Sequence, residues 1–465
     1  MTTNAGFFRP LLVAALAVAL SGCGRSNPGL TTARTLEVLP TDGALTDATR
    51  FYRAMGLASA HTPVSFVGKV SFFASPSPDT TIALVSISVP TRSLTFAREA
   101  DLYRAQYSVQ LRLSRGGDEV QRVDASEVVR VGSFRETTRT DESVIFQRYL
   151  RVPPGSYTFG FIVRDMSSTR ASADTLGVIV PRLGSGSVSS PLAVYQVQAR
   201  QGLDSLPSAL PSPRSTAVFG RDSSVVVYLE AYGNEASIPI RISVRNEAGT
   251  MLWADTSNLG RHGGLLSGVV AIPVVRLGIG VGHVSFTRLD TRDSSATPIF
   301  VSFGDELPVA PFEDMLVYLR FFASPSRLAA LRSAPADRRA QMWIDFLRAT
   351  DPDPVSPVHE GLRDYFGRIQ VANDRFRSEG VTGWLSDRGM VYVSLGEPDE
   401  VAEQLVTVRD RRLGTASRVP VQIWVYRRHR TQFVFTDESQ AGRWELTPES
   451  ENEFRALSAR LLTER

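Results

Sequence analysis

The sequence contains one cysteine, one lysine and no long apolar run. Cys23 is the only cysteine, so no disulfide can form within the chain. Lys69 is the only lysine, so 50 of the 51 basic residues (51 − 1) are arginine. The apolar run Leu11–Leu20 is about half as long as the ~20 residues that a membrane-spanning helix needs. We therefore expect neither a disulfide-stabilised scaffold nor a transmembrane helix.

An excess of charge of one sign is also missing. The formal net charge is +3 over 465 residues, acidic and basic residues alternate along the chain, and no basic stripe is interleaved with aromatics. This pattern argues against a nucleic-acid partner. With 43% hydrophobic and 21% charged residues, the composition is typical of a folded globular protein, and the length predicts about two to four domains.

The N-terminus carries a targeting pattern. Arg9 precedes the apolar run, and the run ends in Leu20-Ser21-Gly22-Cys23. A basic residue followed by a short apolar core is typical of a signal peptide. The last four residues resemble the lipobox of bacterial lipoproteins. The resemblance implies that residues 1–22 are removed and that Cys23 receives acyl chains, palmitate among them, which anchor the protein to a membrane.

The residue after the cysteine bears on the membrane to which a lipoprotein would be sorted. Gly24 stands there rather than aspartate, and the resemblance to lipoproteins then favours the outer membrane. We expect a lipid-anchored protein of the cell envelope, facing the periplasm or the cell surface. The alternative is an ordinary secretory signal followed by a chance cysteine. The polar residues that follow predict a flexible tether up to about residue 60.

A period of two dominates the first half of the chain. From Tyr107 to Leu113 apolar and polar residues alternate, as in a half-buried strand. Such segments and polar turns recur over residues 61–185 and 218–305, which predicts antiparallel β-sandwich (Ig-like) architecture. Residues 186–217 are rich in serine and proline and predict a linker, or an extended arm lying on a neighbouring domain. Two sandwiches in series and one larger sandwich both fit the pattern.

From about residue 311 the apolar period becomes helical. Residues 312–322 are dense in apolar and aromatic side chains, and Pro325 is expected to interrupt the segment. Ser333 and Pro335 predict the start of a helix that buries Trp343.

The next predicted helix has a clearer start. Ser356 is suited to the N-cap and Pro357 to the first helical position. The apolar positions that follow step by three and four, which predicts one buried stripe. These positions are Val358, Leu362, Tyr365, Ile369, Ala372 and Phe376.

Short β-type segments follow. Residues 390–395, 421–426 and 431–437 are expected to form a small antiparallel sheet against which the helices pack. Trp384 and Trp444 flank these segments and are expected to close the core of the sheet.

Two turn-forming motifs flank the first of these segments, residues 390–395. They are Gly383-Trp384-Leu385-Ser386-Asp387-Arg388-Gly389 and Gly396-Glu397-Pro398-Asp399-Glu400. They resemble the signature of the GWxTD domain, a bacterial family without an assigned biochemical activity. Ser386 stands where the family name has threonine, and it keeps the hydroxyl group. The matching positions are Gly383, Trp384, Ser386, Asp387, Arg388, Gly389, Gly396, Pro398, Asp399 and Glu400.

Together these patterns predict a multidomain, mainly β protein. One or two antiparallel β-sandwich domains precede a C-terminal α+β domain of the GWxTD type. The expected parts are the signal peptide 1–22, the lipid-anchored tether 23–60, the first β-sandwich 61–185, the linker 186–217, the second β-sandwich 218–305, the helical pair with its small sheet 310–448 and a C-terminal surface helix 449–465.

The chemistry of the two motifs has a structural and a functional interpretation. Turn formation and backbone capping account for every residue without a substrate. The functional alternative makes Asp387, Asp399, Glu400 and His359 candidate catalytic groups. The histidines do not have the spacing of a zinc site, and no phosphate loop or dinucleotide fingerprint occurs, so we predict no metal and no cofactor.

Two functions remain open. The favoured one is a lipid-anchored, non-enzymatic module that binds or scaffolds a protein or glycan of the envelope. The alternative is an envelope hydrolase with an acidic site in the C-terminal domain. A pocket that brings the candidate acids together with strongly shifted pKa values would favour the hydrolase.

Overall fold

The computed structural model describes residues 33–35, 48–139, 142–304, 307–353, 355, 359–409 and 416–464. The predicted signal peptide, Cys23, most of the tether and the helix start at Ser356, Pro357 and Val358 lie outside the described residues. The prediction of a flexible tether is wrong for residues 48–60, which form a helix and a strand and bury apolar side chains such as Tyr52. Within the described ranges, no helix combines the length and the apolar character that crossing a membrane requires.

The first β region begins with the short strand β1 and ends with β10. Two short helices, α1 (Ala48–Ala54) and α2 (Phe134–Thr137), accompany it. Its strands are β1 (Ala33–Thr35), β2 (Ala58–Ala60), β3 (Phe66–Ala74), β4 (Thr81–Pro90), β5 (Ala97–Glu99), β6 (Leu102–Arg115), β7 (Asp118–Val131), β8 (Ser143–Val152), β9 (Gly155–Asp165) and β10 (Ala171–Val180).

These strands form two antiparallel sheets that share one core. The first sheet has the order β1-β8-β4-β3-β2, and the second has the order β10-β9-β6-β5, with β7 also pairing with β6. In β6 the predicted alternation is confirmed, because Tyr107, Val109 and Leu111 are buried while their neighbours are more exposed. Across the core, Phe66 of β3 and Phe161 of β9 lie with ring centroids 6.5 Å apart. This region is therefore an antiparallel β-sandwich.

The second β region is a separate sheet with the order β12-β11-β14-β17-β16-β15-β18-β19-β13. Pairing between β13 and β19 is parallel, whereas the other described pairs of this sheet are antiparallel. The helix α3 (Val274–Leu277) precedes β18. The strands are β11 (Leu192–Gln198), β12 (Ser208–Pro211), β13 (Thr216–Val218), β14 (Ser224–Ala231), β15 (Ser237–Arg245), β16 (Met251–His262), β17 (Leu265–Pro273), β18 (Gly280–Arg288) and β19 (Ser294–Ser302).

Of the two alternatives for residues 186–217, the linker is wrong, because this segment supplies β11, β12 and most of β13; the alternative was an extended arm lying on a neighbouring domain. Its serines satisfy backbone groups of the neighbouring strands rather than water. Ser190 Oγ accepts a hydrogen bond from the amide of Phe72 at 2.9 Å, and Ser189 Oγ accepts one from the amide of Glu230 at 2.9 Å. The serine-rich composition did not distinguish the two cases, because a serine hydroxyl can bond to the backbone of a buried strand as well as to water.

The two β regions are joined by a buried interface. Phe73 of β3 and Tyr228 of β14 lie with ring centroids 6.3 Å apart within one apolar cluster. Beside this cluster the ammonium group of Lys69 donates hydrogen bonds to Ser215 Oγ and Thr297 Oγ1, both at 2.8 Å. The only lysine of the chain is therefore buried between the two regions.

The C-terminal region combines helices with a sheet of order β20-β21-β22-β23. Its apolar core is continuous with that of the second β region, and the indole Nε1 of Trp343 donates to the carbonyl of Phe303 at 2.7 Å. The elements are α4 (Phe312–Tyr318), α5 (Pro325–Ser333), α6 (Arg339–Thr350), α7 (Glu360–Arg375), α8 (Asp387–Leu395), β20 (Glu400–Arg409), β21 (Ala416–Tyr426), β22 (Thr431–Thr436), β23 (Glu445–Leu446) and α9 (Pro448–Glu464).

Two sequence predictions for this region are confirmed. The apolar stripe of α7 is buried at Leu362, Tyr365, Ile369 and Ala372. The predicted hairpin is the antiparallel pair β21–β22. Both were predictable because their period matches the element that forms.

The predicted strand over residues 390–395 is wrong, because this segment lies in the helix α8. The run Met390–Leu395 is rich in β-branched and aromatic residues, which favours a strand by propensity. However, Ser386 caps the N-terminus of the helix, and Gly396 ends it at a positive φ of 88°. The caps and the packing of α8 against α7 decide the outcome over propensity.

Three further details differ from the predictions. Pro325 does not interrupt a helix; it is the first residue of α5, and the hydroxyl of Ser324 caps that helix. The following helix starts at Arg339 rather than near Pro335. Trp384 packs against Tyr318, with ring centroids 5.6 Å apart, so it closes a contact between helical segments rather than the core of the sheet.

Candidate functional site

The first motif is a turn in which two glycines let helices approach each other closely. A Cβ on Gly383 would lie 2.8 Å from Cα of Asn373 in α7, and a Cβ on Gly389 would collide with the carbonyl oxygen of Gly383. Ser386 Oγ accepts a hydrogen bond from the amide of Gly389 at 3.1 Å and donates one to the carbonyl of Gly383 at 2.8 Å. The motif therefore fixes the start of α8 against α7.

Arg388 extends this contact into the core. Its guanidinium lies 2.5 Å from Oε1 of Glu379, a residue that is only 2% exposed. The same group lies over the rings of Phe376 and Trp444, at 5.0 and 5.1 Å from their centroids. Burial raises the pKa of Glu379, and the charge of Arg388 opposes this shift. The sequence pattern marked Arg388, but it gave no signal for its partner Glu379.

Asp387 is the candidate acid that borders a cavity. Its Oδ2 accepts a hydrogen bond from the amide of Leu446 at 2.7 Å, which ties α8 to β23. Burial raises the pKa of this carboxyl, and the charges of Glu445 and Glu451 add to the rise. In the described part of the chain, no arginine forms an ion pair with Asp387.

The other candidate acids serve a different turn. Oδ2 of Asp399 accepts a hydrogen bond from the amide of Arg427 at 2.7 Å, and Glu400 forms an exposed ion pair with the guanidinium of Arg427. Glu397 also pairs with Arg375, at 2.8 Å. Asp399 and Glu400 thus fasten the turn before β20 to the residue that follows β21, and Glu397 fastens it to the end of α7.

His359 lies at the start of α7. Its Nδ1 accepts a hydrogen bond from the amide of Leu362 at 3.1 Å, and its Nε2 lies 3.0 Å from Oγ1 of Thr350. Burial lowers the pKa of the imidazole, although nearby Asp351 opposes the shift. His359 is thus the N-cap of α7.

The structure does not assemble the predicted acidic site. Asp387 is the first residue of α8 and bonds to the amide of Leu446, whereas Asp399 lies four residues after the end of α8 and bonds to the amide of Arg427, so the two carboxylates engage different segments. No group of three or more acidic, histidine or cysteine side chains suited to a metal ion occurs in the described ranges.

Asp387 instead borders a groove that the sequence analysis missed. The groove has a volume of about 520 Å³ and lies between α9, the start of α5 and the start of α8. Its apolar lining includes Phe321, Met390, Phe454 and Leu462. No local signal could have revealed it, because its walls come from three segments that only the fold brings together.

The remaining charges at the groove are engaged. Arg455 forms an ion pair with Glu451 one turn away on α9, at 2.5 Å. The guanidinium of Arg320 lies over the ring of Trp384, 4.9 Å from its centroid. Asp387 is therefore the carboxylate of the groove whose charge is not balanced by an ion pair in the described part of the chain.

The fold and the motif define a mainly β, multidomain protein with a C-terminal α+β domain built around a glycine-serine turn. Residues 286–453 match the family model described as the GWxTD domain, so the chain carries a GWxTD domain. The match begins in β18 and ends in α9, and it includes both motifs. The resemblance of the motifs to this family is thereby confirmed.

Comparisons with other proteins add little. No curated protein sequence matches the chain. Among solved structures, dimeric latent PorU from Porphyromonas gingivalis has 8% identity and a TM-score of 0.22, and the match covers 50% of this chain and 20% of that one. Bifidobacterium dentium β-glucuronidase, complexed with coumarin-3-O-glucuronide, has 10% identity and a TM-score of 0.17, with 60% and 49% covered.

A further match is to the fibronectin(III)-like modules of CbhA from Clostridium thermocellum, with 11% identity, a TM-score of 0.13 and coverage of 47% and 85%. The chain spans only a fifth of the first of these structures and about half of the second. At such TM-scores, none of these likenesses carries an argument about function.

Proposed function

We propose that this chain is a lipid-anchored protein of the bacterial cell envelope that binds a protein partner through the groove of its GWxTD domain. The observation that carries the binding role is the apolar groove of about 520 Å³ with the half-buried carboxylate of Asp387 at its wall. A carboxylate in an apolar setting gains most from a cationic partner. The partner segment is therefore expected to present an arginine or lysine beside apolar side chains.

Binding is favoured over hydrolysis by the placement of the acids. Asp387 begins α8, Asp399 lies in the turn before β20 and His359 caps α7, and each accepts a hydrogen bond from a backbone amide. A hydrolase of the proposed type would need at least two of these groups facing one substrate.

The binding role can be tested with one variant and one matched control. Asp387→Asn removes the charge while keeping an acceptor for the amide of Leu446. Asp399→Asn makes the same chemical change outside the groove. Folding of each variant is checked by thermal melting.

The partner is then located by photo-cross-linking. A photoreactive residue replaces Ala459 in the groove or, as the control, Ile179, which is 76% exposed on the first β-sandwich. We expect a product in envelopes from position 459 only, with its yield reduced by Asp387→Asn and unchanged by Asp399→Asn. Equal products from both positions, or a yield unaffected by Asp387→Asn, would contradict the proposal.

The anchor is supported by the sequence pattern that ends at Cys23. Replacing Cys23 by serine is expected to release the protein from membranes and to abolish labelling with palmitate. Adding Ser26→Cys to that variant is the matched control, because it supplies a thiol outside the lipobox and should not restore labelling. Membrane association and labelling that persist without Cys23 would refute the anchor.

A further inference from the structure

The strand β20 has an exposed edge along its full described length. It pairs with β21 on one side, and among the described residues no strand pairs with it on the other. Residues 401–407 are all exposed, so neither face of the strand is covered. The apolar side chains Val401, Leu405 and Val406 are 50%, 65% and 38% exposed.

Such an edge promotes pairing with other chains, because its unpaired amides and carbonyls form a template for another strand. Proteins usually protect such edges with closely spaced charges or bulges. β20 pairs with β21 without a register shift, and five uncharged residues in a row, 404–408, occupy its centre.

Another long edge strand among the described residues, β7, shows the contrast. Its pairing with β6 contains a register shift after Leu113, which marks a bulge or irregularity. Charged residues recur every few positions along it, as Asp118, Glu119, Arg122, Asp124, Glu127 and Arg130. β7 therefore carries the devices that discourage edge pairing, and β20 lacks them.

We propose that β20 pairs with β20 of a second copy of this chain, in antiparallel orientation, to form one continuous sheet across a two-fold axis. The charges of the strand favour this occupant. β20 begins with Glu400 and Glu403, and its sequence ends at Arg409. With the axis near Leu405, antiparallel self-pairing sets sequence position 409, an arginine, opposite Val401 and diagonal to Glu403 of the other strand, and it places the uncharged centres together.

The axis lies near Leu405, the most exposed apolar residue of the strand. Directly opposed residues have Cβ atoms about 5 Å apart. A residue four positions from the axis lies about 27 Å from its own copy, because a strand rises ~3.4 Å per residue. The proposal therefore predicts which positions can be cross-linked to themselves.

The test uses the full chain with Cys23→Ser, so that an introduced cysteine is the only thiol. Leu405→Cys is expected to form a covalent dimer with a short bifunctional thiol reagent, whereas Val401→Cys is not. Equal cross-linking at both positions, or none at either, would overturn the proposal. A product in which Leu405→Cys is joined to a different envelope protein would overturn the choice of a second copy.

The oligomeric state is measured by sedimentation equilibrium on the same background without added cysteines. We expect dimers that dissociate on Leu405→Lys, because this change places two like charges at the axis. The matched control is Val120→Lys, which changes a residue 53% exposed on β7. A chain that is monomeric at all micromolar concentrations, or a dimer that Leu405→Lys leaves intact, would refute the proposal.

Discussion

Replacing Lys69 by methionine should change how the stability of the protein depends on pH. Lys69 is the only lysine, and burial lowers its pKa from the ordinary value of 10.5 to about 8. Its hydrogen-bond partners Ser215 and Thr297 are hydroxyl groups, so no carboxylate among them compensates for the buried charge. Methionine fills a similar volume without a charge.

The expected magnitude follows from the shift in pKa. Each pKa unit corresponds to about 1.4 kcal/mol, so a fall from 10.5 to about 8 costs the folded state about 3 kcal/mol when Lys69 is charged. Below about pH 8 both states are protonated, and the cost is fully present. As the pH rises from about 8 towards 10.5, the folded state loses its proton first, and the free energy of unfolding rises.

The measurement is denaturant unfolding followed by circular dichroism, over a pH range that ends near 10. Above this pH the tyrosines of the unfolded chain ionise, whereas Tyr318 in the folded chain stays protonated because burial raises its pKa to about 12. The unfolded state then loses protons first, so the free energy of unfolding falls for a reason unrelated to Lys69. Between about pH 7 and 10, the wild type should gain about 2 to 3 kcal/mol relative to Lys69→Met.

A matched control separates burial from the mere presence of a lysine. Adding Arg98→Lys to Lys69→Met supplies a lysine at an exposed position, and it should not restore the rise. If the pH profiles of the wild type and Lys69→Met run parallel, the pKa of Lys69 is not depressed and the argument fails. The loss of two hydrogen bonds in Lys69→Met, about 1 kcal/mol each, shifts the profile without changing its slope.

Two further predictions concern the glycine-serine turn. Gly389→Ala should destabilise the C-terminal domain by about 3 kcal/mol, because its Cβ would meet the carbonyl oxygen of Gly383. The control is Gly367→Ala, a helical position where a Cβ would have nothing within 4 Å. Thermal melting of both variants would show whether crowding or helix propensity is responsible. Arg388→Met should cost about 3 to 5 kcal/mol, because it leaves Glu379 buried without its cation. Adding Glu379→Met should recover part of that loss in urea unfolding, and a double variant as unstable as the sum of the single variants would contradict this account.

The GWxTD motif was recognisable because it consists of a few residues at fixed spacing. Its role in turn formation was also predictable, because glycine, serine and aspartate each have a local use in capping. The partners of these residues were not predictable. Leu446 meets Asp387 across 59 positions of the chain, and Glu379, nine positions before Arg388, meets it only because the turn between them folds back.

The errors have a common cause. Residues 390–395 have the composition of a strand but form α8, because the cap at Ser386 and the contact of Gly389 with Gly383 stabilise a helix. Residues 186–217 have the composition of a linker but lie in a sheet, because their serines bond to the backbone of adjacent strands. In both cases specific hydrogen bonds and close contacts outweighed the structure that residue composition favours.

The sequence by itself determined the features that depend on short-range periodicity: the alternation of β6, the stripe of α7, the hairpin β21–β22 and the family motif. Its lipobox stays a prediction. Only the tertiary structure decided that the candidate acids bond to different segments, that a groove opens beside Asp387, that Lys69 is buried and that β20 has no second partner strand among the described residues. The physical reason is that periodicity is repeated every few residues along the chain, whereas burial and pairing are set by segments that meet only after the chain has folded.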